Sequence, residues 1–182
     1  STLQRPNLIK SEGMQLAANF ILDICSKYNL KPDLYDLYSC FPVAVQMFAK
    51  SLKLDHINDK TITGAMPFAG GPFNSYVLHS TAKLIEKLRE NNNVGIVTGV
   101  SGMMTKQSYA LWSKNPLIDF KYKDCSHKAK EIELPVKLSD QKSGSGKVIG
   151  YTILVKNKVN KAIIFVDTDD KKRKLITSCN ET

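Results

Sequence analysis

The stretch Thr61–Ser80 constrains the fold most, because it places several glycines directly in front of a strongly helical segment. Gly64, Gly70 and Gly71 lie in it, and Pro72 follows the glycine pair. A glycine-rich turn that leads into a helix allows close approach of a ligand or of another backbone segment. The sequence therefore predicts a central loop at which Gly70 and Gly71 either frame a ligand or pack tightly against a sheet.

Helical and strand patterns alternate over residues 1–115. Apolar residues at helical spacing predict three helices, from Ser11 to about Tyr28, from Pro42 to about Leu52 and from Asn74 to about Glu90. The expected strands are Asp33–Cys40 near the middle of a sheet, Thr61–Met66, Val94–Gly99 and Met104–Trp112, with a strand at Gln4–Ile9 that is either missing or frayed. The third helix is expected to end at the three asparagines 91–93. This order predicts an α/β fold in which a layered sheet packs against helices.

The pattern changes after residue 115. Residues 116–146 are charged and are expected to form an irregular linker. Residues 147–182 contain three β-branched runs separated by turns, which predict a three-stranded meander. Three strands are about the minimum for an independent sheet, and no closing element follows the third. We therefore expect a truncated β-module and a chain that is part of a longer protein.

The charge of the chain bears on its partners. The formal net charge is +9, and residues 121–182 hold 14 basic and 8 acidic side chains. Such a basic end could meet nucleic acid, an anionic membrane or a phosphorylated ligand, but no aromatic residues interleave with the lysines of this end, which favours a solvated surface. Nucleic acid is therefore not expected as a partner.

Composition also limits the site chemistry and the location. No apolar run reaches the roughly 20 residues of a membrane-spanning helix, and the start of the chain lacks the pattern of a secretory signal. We expect a cytoplasmic protein, or one of an organellar matrix. The four cysteines and three histidines are isolated in the sequence, so no metal site is expected.

Four stretches, in order, resemble one family. They are Asp33–Gln46, Thr61–Tyr76, Val94–Lys106 and the tail around Gly150–Tyr151. They resemble the C-terminal half of thiolase-like proteins of the acetyl-CoA acetyltransferase group, in particular the type 1 thiolase-like proteins with an extra C-terminal β-module. The resemblance implies half of a thiolase fold, an acyltransferase of lipid metabolism, CoA or acyl-CoA as the ligand, no covalently bound cofactor, and possible homo-oligomers. It also implies a homologous N-terminal half, which carries the nucleophilic cysteine and is missing from this chain.

Three catalytic positions depart from the family pattern. Thiolases carry a Gly-His-Pro step whose histidine helps to activate the nucleophile, and Gly71 stands in the matching place. Glycine cannot accept a proton, and loss of such a base typically costs about 10²–10⁴-fold in rate. Tyr38-Ser39-Cys40-Phe41 matches the motif whose first residue supports the oxyanion site, and Thr98-Gly99-Val100 replaces the Cys-x-Gly acid/base. We therefore expect condensation and thiolysis to be lost or weakened, and this chain alone to be inactive.

The resemblance and the local chemistry give the candidate site residues. The candidate catalytic residues are Tyr38, Ser39, Cys40 and His79; the candidate substrate-binding residues are Gly70, Gly71, Pro72, Asn74, Thr98 and Ser101. Cys40 is either a thiol activated by the following helix or a small buried residue. His79 is either a substitute base or a structural histidine.

A second class of function stays open. In this alternative the protein is a non-catalytic binding or scaffold module whose basic β-tail contacts an anionic partner. The run Lys171–Lys174 is either a contact for CoA phosphates or a solvated turn. Cys125-Ser126-His127 resembles a catalytic pair, but it lies in the charged linker.

Overall fold

The computed structural model describes residues 2–54, 58–90, 94–117, 119–156 and 159–181, without the side chains of 156, 159 and 179–181. The chain divides into two compact units, one of Ile9–Ile132 and one of Ser1–Leu8 together with Glu133–Thr182. The asparagines 91–93, and parts of the predicted loop 54–60 and turn 157–160, lie outside the described residues. None of the helices in the described ranges is long and apolar enough to span a membrane.

Residues 9–132 form helices on both faces of a three-stranded sheet. The strands are β1 (Leu34–Asp36), β2 (Val94–Ser101) and β3 (Lys106–Ser113), in the order β1-β2-β3, with β1 parallel and β3 antiparallel to β2. The helices are α1 (Glu12–Lys27), α2 (Pro42–Ser51), α3 (Ala65–Ala69), α4 (Tyr76–Glu90) and α5 (Ser126–Ile132).

Two apolar clusters hold these layers together. Ile96 of β2 packs in a cluster with residues of α1 and α2, such as Met14 and Phe48, whereas its neighbour Val97 packs with Leu84 of α4. Consecutive residues of a strand point to opposite faces, so one short strand joins both clusters. This arrangement confirms the α/β layered architecture.

The ends of the first two helices follow the sequence signals. Ser11 caps α1, since its hydroxyl oxygen accepts a hydrogen bond from the Met14 N–H at 3.4 Å. Pro42 begins α2, at the position where the missing proline N–H costs nothing. The predicted bounds of both helices are confirmed within one residue.

Two strand predictions are wrong. Thr61–Met66 contains no strand, because Gly64 and Ala65 adopt positive φ values of 88° and 67° and α3 begins at Ala65. β1 is not central: it pairs with β2 and lies at an edge of the described sheet. The chain leaves β1 after Asp36. The Asp36 side chain accepts hydrogen bonds from the N–H groups of Ile62 and Thr63, in the segment that was predicted to be a strand.

The buried stripe of α4 differs in part from the one that the apolar spacing predicts, which comprises Val77, Leu78, Thr81, Leu84, Ile85 and Leu88. Tyr76, Ser80, Leu84 and Leu88 are buried, whereas Leu78 is largely exposed. The stripe begins with two polar side chains because both hydroxyl groups bind the buried carboxylate of Asp36.

The segment 116–146 is not irregular throughout. Helix α5 occupies Ser126–Ile132, and the Asp124 carboxylate accepts a hydrogen bond from the Ser126 N–H at 2.8 Å. The exposed His127 pairs with Glu131 one turn later, at 3.1 Å. Whether 1–115, 116–146 and 147–182 act as separate functional regions stays a prediction.

The second unit contains the expected meander. Its strands β4 (Gly146–Lys156), β5 (Val159–Thr168) and β6 (Arg173–Glu181) pair antiparallel in chain order, with a bulge between Val148 and Gly150. No strand forms at Gln4–Ile9; instead Thr2–Gln4 makes one turn of 3-10 helix.

Arg173 organises this second unit. Its side chain is 2% exposed, and its Nε atom lies 2.6 Å from the Asp167 carboxylate. Its Nη1 atom donates to the carbonyl oxygen of Leu3, at 3.2 Å, and to that of Arg5. The run Lys171–Lys174 is therefore not a uniformly solvated turn, because its arginine fastens the first residues of the chain to β6.

Candidate functional site

The candidate site forms around the buried side chain of Asp36, at the end of β1. The residue is 0% exposed, and its carboxylate accepts six hydrogen bonds. One oxygen accepts from the N–H groups of Ile62 and Thr63, at 3.1 and 3.0 Å, and from the hydroxyls of Thr61 and Thr63, at 3.1 and 2.9 Å. Two further donors lie on α4. A buried carboxylate is tolerated only when it is satisfied in this way.

The turn around Asp36 explains the first glycine of the central stretch. Thr61 also accepts a hydrogen bond from the Ala65 N–H at 2.9 Å, which closes the turn before α3. Gly64 has a φ of 88°, and an added Cβ would lie 2.7 Å from the Phe68 ring. Both the backbone conformation and the available space therefore require glycine there.

Tyr76 connects this turn to α4 and to the segment after β1. Its hydroxyl donates to the second oxygen of Asp36 at 2.7 Å, and Ser80 donates to the same oxygen at 2.8 Å. Ser39 donates to the Tyr76 hydroxyl at 3.4 Å and accepts from the Met66 N–H at 2.9 Å. The Ser39 hydroxyl thus uses its proton within the cluster and tethers the start of α3.

Tyr38 and Thr98 complete the cluster. The Tyr38 ring meets the Tyr76 ring edge to face, with centroids 5.5 Å apart, and the Tyr38 N–H donates to the hydroxyl of buried Thr98 at 2.9 Å. Burial raises the pKa of the Tyr38 and Tyr76 phenols above their ordinary value, so both are neutral and can donate hydrogen bonds at physiological pH. Of the ten candidate residues, Tyr38, Ser39 and Thr98 therefore belong to this cluster.

Cys40 lies beside the cluster and packs against the main apolar core. Burial raises the pKa of its thiol, and backbone hydrogen bonds at Phe41 and Cys40 lower it by a smaller amount. A thiol with a raised pKa is a poor nucleophile at neutral pH. The geometry favours the interpretation of Cys40 as a small packing residue.

The two glycines after α3 have different surroundings. Gly70 has a φ of 69°, and an added Cβ would meet nothing within 4 Å, so open space adjoins it. At Gly71 an added Cβ would lie 3.1 Å from the Tyr76 Cβ, so this residue packs directly on the buried tyrosine. The sequence analysis allowed the two glycines either to frame a ligand or to pack tightly. Gly71 packs tightly on Tyr76, whereas Gly70 borders open space.

The remaining candidate residues lie outside the hydrogen-bonded cluster. Pro72 and Asn74 are exposed in the loop before α4, and Ser101 is exposed at the end of β2. His79 is exposed on α4 and lies off the buried stripe that begins with Tyr76 and Ser80. Their proposed roles stay predictions.

Sequence reasoning missed five side chains of the cluster. The side chains of Thr61, Thr63, Tyr76 and Ser80 all donate to Asp36, and none of these five residues was chosen as a site residue. Tyr76 and Ser80 stand four residues apart, on one face of the predicted helix. Two hydroxyl groups at that spacing, next to Leu84 and Leu88, were the available signal of a buried polar partner.

The described residues hold no group of three or more His, Cys, Asp or Glu side chains suited to a metal ion. The cluster instead contains hydroxyl groups and one carboxylate. Such an arrangement fixes loop geometry and offers hydrogen bonds.

These layers and loops define a thiolase-like fold, that of the C-terminal half of such a protein. The solved structures that it resembles include a monomeric SCP2-thiolase like protein type 1 from Mycobacterium smegmatis, with a TM-score of 0.84 and 25% sequence identity. The match covers 97% of this chain and 40% of that protein, so the chain spans less than half the length of its structural neighbour. Neither a protein-family model nor a curated protein matches the sequence.

Replacing Asp36 should destabilise this unit strongly. Asp36→Asn replaces one carboxylate oxygen, which accepts hydrogen bonds, with an NH2 group that faces hydrogen-bond donors. We therefore expect the free energy of unfolding to fall by at least about 3 kcal/mol. Urea unfolding followed by circular dichroism would measure it. The matched control is Asp33→Asn, an exposed site three residues earlier, which should change stability by less than about 0.5 kcal/mol. Equal effects of the two variants would contradict the role of Asp36.

The buried phenol of Tyr76 predicts a loss of stability at alkaline pH. Because its folded pKa is raised, its contribution is complete below the unfolded value of about 10 and is lost as the pH rises through the folded pKa. We expect Tyr76→Phe to be less stable at pH 8 and to lose less further stability between pH 9 and 11 than the parent protein. Urea unfolding at each pH tests this, and parallel curves for the two proteins would refute it.

Proposed function

We propose that the protein is a thiolase-like member of the acyltransferases that binds CoA or an acyl-CoA but does not carry out thiolytic cleavage or Claisen condensation. The observation that supports this proposal is the packing of Gly71 on Tyr76 within a thiolase-like fold. The motif resemblance matches Gly71 to the histidine of thiolases. No side chain at this position can take a proton from a nucleophile.

The other residues of the loop support ligand binding. Gly70 borders open space, and Asn74 and Ser101 are exposed near the carboxyl ends of β1 and β2. Ligands of α/β sheets usually bind beyond these ends. In the proposal, Asn74 and Ser101 donate hydrogen bonds to the amide or thioester oxygens of the CoA arm, and the backbone at Gly70 allows its close approach.

The hydroxyl cluster supports the loss of chemistry. Ser39 donates to Tyr76, Tyr76 donates to Asp36, and Thr98 accepts from the Tyr38 N–H. In the proposal these groups hold the loop, and none of them activates a nucleophile. Cys40, with its raised pKa, and His79, which is exposed, are the residues whose catalytic use the proposal rejects.

The proposal includes a second half. Because the chain spans 40% of the length of its structural neighbour, we propose that a homologous N-terminal half completes the acyl-CoA site in the cytoplasm or an organellar matrix. The neighbour is described as monomeric, so self-association of this chain stays a prediction.

Acyl-CoA binding and thiolysis test the proposal. Calorimetric titration of the natural protein containing this chain with acetyl-CoA should show saturable binding, and acetoacetyl-CoA with free CoA should give no thiolysis. Asn74→Ala should weaken binding about threefold to tenfold, by removal of one hydrogen bond, whereas Asn115→Ala, an exposed site at the other end of the sheet, should not. Absence of binding at millimolar ligand would refute the binding role, and robust turnover would refute the loss of the base.

A second candidate is a binding or scaffold module whose β-tail contacts an anionic partner. The favouring observation is that Lys142 and Lys161 are exposed in the second unit, whereas Arg173 is buried and contributes nothing to its surface. Tail binding would therefore depend on lysines, whose contacts with phosphate or sulfate are sensitive to salt.

Retention on heparin distinguishes this candidate. The double variant Lys142→Gln/Lys161→Gln should elute at lower salt than the parent if the tail is the contact. Lys50→Gln/Lys53→Gln removes the same charge from an exposed part of the first unit and should then elute unchanged. The opposite order of elution would rule out the tail as the contact.

A further inference from the structure

A surface away from the acyl-CoA site combines exposed aromatic rings with lysines. It consists of residues 119–123 and the end of α1 with the residues that follow it, and we call it the aromatic–lysine surface. Phe120 is 92% exposed and Tyr122 is 77% exposed. Exposed aromatic pairs of this size usually mark a contact surface, because their burial against a partner is favourable.

Lys123, which follows Tyr122, reaches back to α1. Its ammonium lies 5.5 Å from the centre of the Phe20 ring, and Lys121 pairs with Asp119 at 3.0 Å. The hydrogen bond that Lys121 donates to the Asp119 carboxylate raises the pKa of Lys121, with a smaller electrostatic contribution from Tyr28 at the end of α1. Lys123 thus contacts α1 while Phe120 and Tyr122 remain exposed.

A groove adjoins the end of α1. Its volume is about 420 Å³, and its lining consists of Asn29, Leu30, Lys31, Val94, Ser113, Lys114 and Asn115. The Lys114 ammonium donates to the carbonyl oxygen of Arg89 at 3.3 Å, which fixes this cation at the groove. Lys27, whose ammonium lies 5.3 Å from the centre of the Tyr28 ring, comes just before the groove residues 29–31 in the sequence.

The charge of the surface is positive. Its five lysines are Lys27, Lys31, Lys114, Lys121 and Lys123, and the carboxylates within two residues of them are those of Asp33, Asp119 and Asp124. Asp119 is already paired with Lys121. The surface therefore offers an excess of cations to a polyanion.

We propose that the aromatic–lysine surface binds single-stranded nucleic acid. Proteins that bind single strands combine a basic groove for the phosphates with aromatic rings on which bases stack. Phe120 and Tyr122 supply the rings, and the groove with Lys31 and Lys114 supplies the phosphate contacts. A flat anionic bilayer fits less well, because it cannot enter the concave, amide- and hydroxyl-lined groove.

This surface is independent of the proposed acyl-CoA site. The groove includes Val94, where β2 begins, whereas Asp36 and Thr98 lie toward the carboxyl ends of β1 and β2. It also corrects the sequence analysis, which found no aromatics interleaved with the lysines of residues 121–182, because Tyr122 lies between Lys121 and Lys123. The interleaved segment Phe120–Lys123 lies in the predicted linker.

Fluorescence anisotropy with a labelled 15-nucleotide single strand of mixed sequence tests the proposal, with the whole protein as titrant. We expect saturable binding, and for Phe120→Ala/Tyr122→Ala an affinity lower by roughly tenfold or more. The matched control is Phe68→Ala/Phe73→Ala, which removes two exposed aromatic side chains near the loop of the acyl-CoA site. This control should keep the single-strand affinity of the parent protein.

Salt dependence gives a second, independent measurement. Removing two phosphate contacts in Lys31→Gln/Lys114→Gln should lower the slope of log K against log salt by about 1.4. Lys142→Gln/Lys161→Gln should leave the slope unchanged. A double-stranded oligonucleotide should bind more weakly than the single strand, because its stacked bases cannot reach the rings.

Three results would overturn the proposal. One is no saturable binding at 50 mM salt, and a second is equal affinity of the parent and Phe120→Ala/Tyr122→Ala. The third is binding to vesicles of phosphatidylserine but not to the oligonucleotide, which would assign the surface to a membrane. Acetyl-CoA binding, measured on the same Phe120→Ala/Tyr122→Ala variant, reports separately on the acyl-CoA proposal.

Discussion

The structure of the larger unit depends on one buried carboxylate. Asp36 ends a three-residue strand and accepts hydrogen bonds from the turn at Thr61–Thr63 and from two hydroxyls of α4. Three segments far apart in sequence thereby meet at one charged group. The apolar clusters hold the helices on the sheet, but they do not determine the path of the central loop. That path follows from where the donors of Asp36 are placed.

This dependence shapes the chemistry that the site can offer. Ser39 and Tyr76 have hydroxyl groups of the kind that activate or stabilise reacting groups, yet both donate their protons within the cluster. A group that holds a loop in place is not free to change its hydrogen bonds during a reaction without loosening that loop. The proposal of a binding protein with no acyl transfer agrees with such a rigid, fully satisfied cluster.

Features of the fold and site that depend on neighbouring residues could be predicted from the sequence. Features that depend on residues distant in the sequence could not. The first two helices were predictable, because Ser11 and Pro42 act on their own helix ends and the apolar stripes have a clear period. The strand expected at Thr61–Met66 failed because a distant carboxylate, Asp36, binds the N–H groups of that segment. No local pattern in Thr61–Met66 contains this information.

The same limit applies to the candidate site. Tyr38, Ser39 and Thr98 were found through motif resemblance, which carries long-range information that spacing alone does not. Tyr76 and Ser80 were missed because a tyrosine and a serine on a helix commonly face solvent, and only their shared partner makes them central. Arg173 was placed on a solvated turn for a similar reason, since its partner carbonyls at Leu3 and Arg5 are at the other end of the chain.

The contact between Gly71 and Tyr76 has a consequence for how these two positions can change. A Cβ at position 71 would lie 3.1 Å from that of Tyr76, whose hydroxyl is bound to Asp36. A side chain introduced at position 71 would therefore meet a crowded position, and a second change at Tyr76 that made room would weaken the carboxylate cluster. The two positions form an epistatic pair, in which the effect of a substitution at one depends on the residue at the other.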